Sequence, residues 1–171
     1  MTQTTRKTTA PKRTSTKATS KAGDPASADT PGGDEARPRS TEGLKMALRA
    51  LELGLEKKAM EPVLLDVGEL CSFCNYQLVL SGRSDRQVEA IADGIVAGLR
   101  EAGERPYGKE PARTGQWALL DYGDFVVHVF LHSIREHYDL EGLWNDAPRV
   151  PIEVPEDARM PTVDPYGALT P

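Results

Sequence analysis

The sequence predicts an α/β domain: a mixed five-stranded β-sheet with two main α-helices and short C-terminal helical turns. Two stretches carry apolar residues at helical spacing behind a capping residue, and five short segments read as strands. Their order is helix, strand, strand, helix, then three strands, which suits two helices laid on one sheet.

The first helix is expected over Thr41–Ala59. Ser40 or Thr41 caps it, and Leu44, Ala47, Leu48, Leu51 and Leu55 form one apolar face. Lys57 and Lys58 suit its C-terminus, and Pro62 stops it. Val63–Val67 is a short apolar run ending at Gly68, read as a strand, and Tyr76–Leu80 is a second. Ser84 and Gln87 have the spacing of a capping box, and Val88, Ile91, Ala92, Ile95 and Leu99 make the stripe of a helix over Asp85–Ala102. Arg105–Lys109 reads as a short polar edge strand, since Pro106 and Pro111 fit an edge or loop and not a central strand. Two apolar runs, Trp117–Leu120 and Phe125–Phe130, flank Asp121-Tyr122-Gly123-Asp124 and predict a β-hairpin. Ser133–Tyr138 and Leu140–Trp144 suit helical turns.

Composition sets the boundaries. Residues 1–40 are rich in Thr, Ser, Lys, Ala, Pro and Gly, and nearly lack large apolar side chains, so a disordered basic tail is expected. Residues 41–147 form the domain. Residues 148–171 hold prolines at 148, 151, 155, 161, 165 and 171, which predicts a Pro-rich disordered tail. The chain's net charge is −5. Its first 41 residues carry eight basic and four acidic side chains, or +4, which leaves −9 for the rest. An acidic body argues against broad binding to nucleic-acid phosphates and suits a basic protein partner. The basic tail suits a solubilising segment or, more sharply, a weak electrostatic contact with RNA. No run has the apolar length of a membrane span, and the N-terminus lacks the apolar region of a secretory signal, so a cytoplasmic protein is expected.

Five features are candidates for chemistry. Cys71 and Cys74 have the C-x-x-C spacing of redox pairs and half zinc sites, but no second pair completes a zinc site, and packed thiols are expected. Ser81-Gly82-Arg83-Ser84 joins a strand to a helix N-terminus, where a phosphate can sit, although Ser84 is already explained as a cap. Asp121 and Asp124 suit either Mg²⁺ or, more simply, a tight turn. His128 lies within an apolar strand, with Val126 and Phe130 on its face and Val127 and Val129 on the other, and no nucleophile is identifiable beside it. Finally, Trp117, Tyr122, Phe125 and Trp144 serve core or interface equally well on composition. Both hairpin strands are apolar on both faces, and two helices sharing one face leave the other partly bare.

Several motifs resemble one family. Trp117-Ala-Leu-Leu-Asp-Tyr-Gly-Asp-Phe-Val-Val-His-Val-Phe130, Arg135-Glu-His-Tyr-Asp-Leu140, Leu143-Trp144 and Asp146-Ala-Pro148 resemble the signature of the ribosomal silencing factor, or Iojap-like, family. Leu65-Asp-Val67, Ser81-Gly-Arg-Ser-Asp-Arg-Gln87 and Ile91-Ala-Asp93 match it upstream, in the same order. The resemblance covers about residues 44–148 and implies a nucleotidyltransferase-like fold with no catalytic set, cofactor or metal. It implies binding to the large ribosomal subunit through that subunit's fourteenth protein, steric block of joining with the small subunit, and lower translation under nutrient limitation. It also implies a homodimer when free. The implied partner-binding set is Trp117, Asp121, Tyr122, Gly123, Asp124, Phe125 and His128, with Trp117 and Tyr122 as apolar anchors and Asp121 and Asp124 holding the turn. Where the family often has Ser or Thr, Asp and Tyr, this chain has Cys74-Asn75-Tyr76, which weakens any inherited metal or nucleotide role. A nucleotide-binding, nucleotidyltransferase-like enzyme using Asp121, Asp124 and the Ser81–Ser84 junction is the alternative.

Overall fold

The computed structural model describes residues 40–110 and 115–160. The chain runs α1 (Thr41–Glu56), β1 (Met60–Asp66), β2 (Tyr76–Gly82), α2 (Asp85–Glu101), β3 (Gly108–Glu110), β4 (Trp117–Asp121), β5 (Phe125–Leu131), α3 (His132–Tyr138) and α4 (Leu140–Leu143). The strands lie in the order β1-β2-β5-β4-β3. Only β2 and β5 run parallel, and the other neighbours are antiparallel, so the sheet is mixed as expected.

Alternation along the strands sorts the sheet into two faces. Leu64, Leu78, Leu80, Ala118, Leu120, Val127 and Val129 point to one face and pack with Ala47, Leu51, Val88, Ile91, Ile95 and Leu99 of α1 and α2. Both helices share that face. Local chemistry fixes their starts: Ser40 Oγ accepts from Gly43 N at 2.9 Å, and Ser84 Oγ accepts from Gln87 N at 3.3 Å. The Gln87 side chain reaches back to Arg83 N at 2.9 Å and also donates to Lys57 O and Lys58 O, tying the start of α2 to the end of α1.

The polar edge strand expected over Arg105–Lys109 falls at Gly108–Glu110, and three further boundaries differ with consequences for the fold. α1 ends at Glu56 because Lys58 turns into the left-handed region, at φ 62°, which lets β1 begin at Met60. Pro62 therefore lies inside a strand. β1 tolerates it as an edge strand whose register shifts between Met60 and Val63, with Glu61 at φ 48°. The third concerns the Pro-rich tail, expected to be disordered from residue 148. Residues 148–160 instead run along β1: Asp66 N donates to Pro148 O, Val150 N donates to Leu64 O, and Arg149 bridges to Leu65. Val150 and Ile152 pack on the core, and Met160 N donates to the Glu61 carboxylate at 2.7 Å. Proline forbids helix and central strand, but an extended segment at a sheet edge needs only alternate backbone bonds. The basic tail over residues 1–39 and the end of the Pro-rich tail, 161–171, lie outside the described residues.

Candidate functional site

The face turned away from α1 and α2 is laid out in rows. β4–β5 pairing sets Trp117 beside Phe130, Leu119 beside His128 and Asp121 beside Val126. The β2–β5 register extends these rows to Ser81, Val79 and Gln77. Part of this face is roofed by Cys71, Cys74, Ala147 and Trp144, which pack with Leu65, Val67 and Val126. Between that roof and β4 lies an open groove of about 300 Å³. Its floor is Gln77, Trp117, Leu119, Asp121, Val126 and His128, and its walls are Phe73, Leu140, Leu143 and Trp144. Phe73 is 62% exposed and Leu143 73%. Large apolar side chains held that far into water around a concave apolar floor mark an interaction surface.

Trp117 is the centre of an aromatic stack. Its ring lies 5.0 Å from Phe130, nearly parallel, and 4.8 Å from Tyr138, tilted. Its indole N–H donates to His128 Nδ1 at 3.3 Å. An indole only donates, so Nδ1 must carry the lone pair and Nε2 the proton. Burial pushes the His128 pKa down to about 4, with a small opposing pull from Glu141. His128 is thus neutral at physiological pH, a spacer and acceptor beneath Trp117. Acid then destabilises the fold: the unfolded chain takes up this proton near pH 6.5, while the folded chain resists it until about pH 4. His128→Gln should remove up to about 3 kcal/mol of the stability lost between pH 6.5 and 4. Denaturant titrations of both proteins across that window check this, and parallel pH curves would refute it.

The turn is built by its own residues. Gly123 at φ 78° centres a γ-turn closed by Asp124 N to Tyr122 O at 3.0 Å, a conformation suited to glycine. Asp121 Oδ1 accepts from Gly123 N at 2.7 Å. Asp124 serves the other side: its carboxylate accepts from Asn75 Nδ2 at 2.5 Å, and its backbone oxygen takes Asn75 N and Tyr76 N. A Cβ at Gly43 would collide with that carboxylate, so the turn sits tight against the first turn of α1. There the helix N-terminus favours a negative charge. The two carboxylates are committed to different networks, and among the described residues no group of three or more metal-ligating side chains forms. The Ser81–Ser84 junction is likewise engaged, since Ser81 Oγ accepts from Arg135 Nη1 at 2.9 Å and Ser84 caps α2.

The expected partner-binding residues therefore separate by face. Trp117, Asp121 and His128 line the groove. Tyr122 and Phe125 do not: they stack at 4.8 Å and pack in the cluster beneath α1 and α2, with Tyr122 only 6% exposed. As an anchor Tyr122 is corrected to a core residue, because it continues the alternation of Ala118 and Leu120. Its hydroxyl is buried with no partner, and burial pushes its pKa up to about 12. Tyr122→Phe removes that unpaired group and should hold or raise stability, by up to about 1 kcal/mol. A clear drop in the denaturation midpoint would show a hydrogen bond absent from this structure. Phe73, Gln77, Leu119, Leu140 and Leu143 escaped the sequence reading. Strand parity with Trp117 identifies Leu119, and of the walls Trp144 is a candidate from sequence, while no local signal marks Phe73, Leu140 or Leu143.

Fold and site together define a mixed-sheet α/β domain with an aromatic groove on the sheet face that α1 and α2 leave free. The family model described as "Ribosomal silencing factor during starvation" matches residues 38–166. The chain is 41% identical over 100 residues to a Ribosomal silencing factor RsfS of Chromobacterium violaceum, covering 58% of this chain and 80% of that one. It is 32% identical over 121 residues to the chloroplastic protein Iojap of Zea mays, covering 69% of this chain and 50% of that one. A crystal structure of a Chromobacterium violaceum protein superimposes with a TM-score of 0.56 at 38% identity, covering 67% of this chain and 92% of that one. The chain belongs to the ribosomal silencing factor family.

Proposed function

We infer that the chain silences ribosomes as a binding protein without catalysis. Its groove takes an apolar projection of the large subunit's fourteenth protein, and the bound chain occupies the face that the small subunit needs, lowering translation when nutrients are scarce. The observation that carries this reading is the groove itself: exposed Phe73 and Leu143 stand over Trp117 on the sheet face that α1 and α2 leave free. An apolar centre with acidic Asp121 at its edge, in a body of net charge −9, complements a basic ribosomal protein. Gly123, Asp124, Tyr122 and Phe125 act behind this surface by fixing the hairpin that presents Trp117 and Asp121. The basic tail adds a weak, salt-sensitive contact with ribosomal RNA. Free in the cytoplasm, the chain pairs as a homodimer. No helix among the described residues is long and apolar enough to cross a membrane.

Sedimentation of the full chain with separated subunits tests the reading. The chain should pellet with large subunits, remain in solution with small ones, and reduce the yield of joined ribosomes in proportion to its occupancy. Joining that proceeds undiminished at saturating chain would overturn the steric block.

A further inference from the structure

The Cys71–Cys74 loop carries chemistry that binding does not use. Both cysteines are free, and their sulfurs lie 3.6 Å apart. That is contact distance, about 1.5 Å beyond the bond length of a disulfide. The pair is closed in by Leu65, Val67, Val126 and Ala147. Cys71 keeps 7% of its surface exposed and Cys74 none, so a reagent meets Cys71 first. Burial pushes the Cys74 thiol up to about 12, so Cys74 stays protonated and is not the sulfur that meets the oxidant.

Two links join this pair to the groove. Phe73, between the cysteines, is a groove wall. Gln77 Nε2 donates to Cys74 Sγ at 3.9 Å, and Gln77 forms part of the groove floor. Closing the sulfurs to bonding distance displaces Cys74 Sγ, the acceptor of the Gln77 bond, within the loop that carries Phe73.

We propose that Cys71 and Cys74 form a reversible dithiol–disulfide site, oxidised by hydroperoxides, whose oxidised form loosens the groove's hold on its partner. The Cys71 thiolate attacks a peroxide oxygen. The O–O bond breaks, the leaving oxygen departs protonated, and Cys71 becomes a sulfenic acid. The Cys74 sulfur then attacks the Cys71 sulfur, the S–O bond breaks, and the Cys74 proton leaves with the hydroxyl as water. Two electrons pass from the sulfurs to the peroxide. A thiol reductant restores both thiols by exchange. The regulatory half rests on the binding reading, and the chemical half stands without it.

The test uses the reduced full chain treated with hydrogen peroxide. Intact mass should fall by two hydrogens, both thiols should resist alkylation, and dithiothreitol should reverse both changes. Cys74→Ser should instead stop at a Cys71 sulfenic acid that dimedone traps. Thiols that stay alkylatable, or oxidation that proceeds only to irreversible acids, would overturn the disulfide. Oxidised chain should bind separated large subunits about tenfold more weakly, the scale of one lost apolar wall contact, with recovery after reduction. Equal binding by both forms would overturn the regulation alone. Absence of binding by the reduced chain would remove the proposed function and the regulation together, with the mass readout still deciding the disulfide.

Discussion

Trp117→Ala weakens association with the large subunit on the order of 100-fold, the loss expected for an aromatic anchor at the centre of an interface. The ring is also stacked on Phe130 and packed at a tilt against Tyr138, so the same change costs the fold about 1–3 kcal/mol. Loss of binding by this variant alone is therefore ambiguous. Leu143→Glu resolves it. Leu143 is exposed and stands on the wall, so a carboxylate there places an unpaired charge in the apolar contact while the core is untouched. The expected result is loss of co-sedimentation comparable to that of Trp117→Ala, with a melting temperature like that of the parent. Leu143→Glu that still binds fully would show that the partner does not use the groove.

The largest stability effect is expected at Arg135. Its guanidinium lies under α3 and makes four bonds. Nε and Nη2 both reach Glu141 Oε1, Nε at 2.7 Å, while Nη1 donates to Ser81 Oγ at 2.9 Å and to Glu61 O at 2.6 Å. One side chain thus pins α4, β2 and β1 together. Arg135→Ala leaves the Glu141 carboxylate, 19% exposed, without its cation, and should cost about 3–5 kcal/mol in chemical denaturation. Arg135→Met combined with Glu141→Leu removes both charges and should recover most of that loss. A double variant as unstable as Arg135→Ala would show that the guanidinium's bonds to Ser81 and Glu61 outweigh the ion pair. Because α4 carries Leu140 and Leu143, Arg135→Ala should also weaken subunit binding.

Much of the fold was legible because its elements announce themselves locally. Ser84 and Gln87 cap α2 as their spacing predicts, and the period-two pattern of β5 separates Val127 and Val129 from Val126 and His128. The sheet order was beyond reach, since pairing between distant strands leaves no local trace. The same holds for residues 148–160, whose bonds go to β1 across the sequence. In the site, periodicity tells which residues share a face but not which face the helices cover. Placing α1 and α2 over Ala118 and Leu120 assigns Tyr122 to the core at once, whereas reading the hairpin's aromatics as one patch assigns it to the surface. Arg135 was visible only as a motif residue, because its partners Ser81 and Glu61 are 54 and 74 residues away.

The central strand β5 holds one more lesson. Phe125–Leu131 is apolar at every position but one, and it is buried on both faces along nearly its whole length. Sliding it by one residue would exchange one set of greasy side chains for another at little cost in hydrophobic energy, so burial alone is nearly blind to the error. Two things remain to tell the strand where to stop. One is the length of the Gly123 turn. The other is His128, whose lone pair finds the Trp117 indole in only one alignment. The imidazole thus works as a registration mark, a single polar notch that keys an otherwise featureless strand to its neighbour.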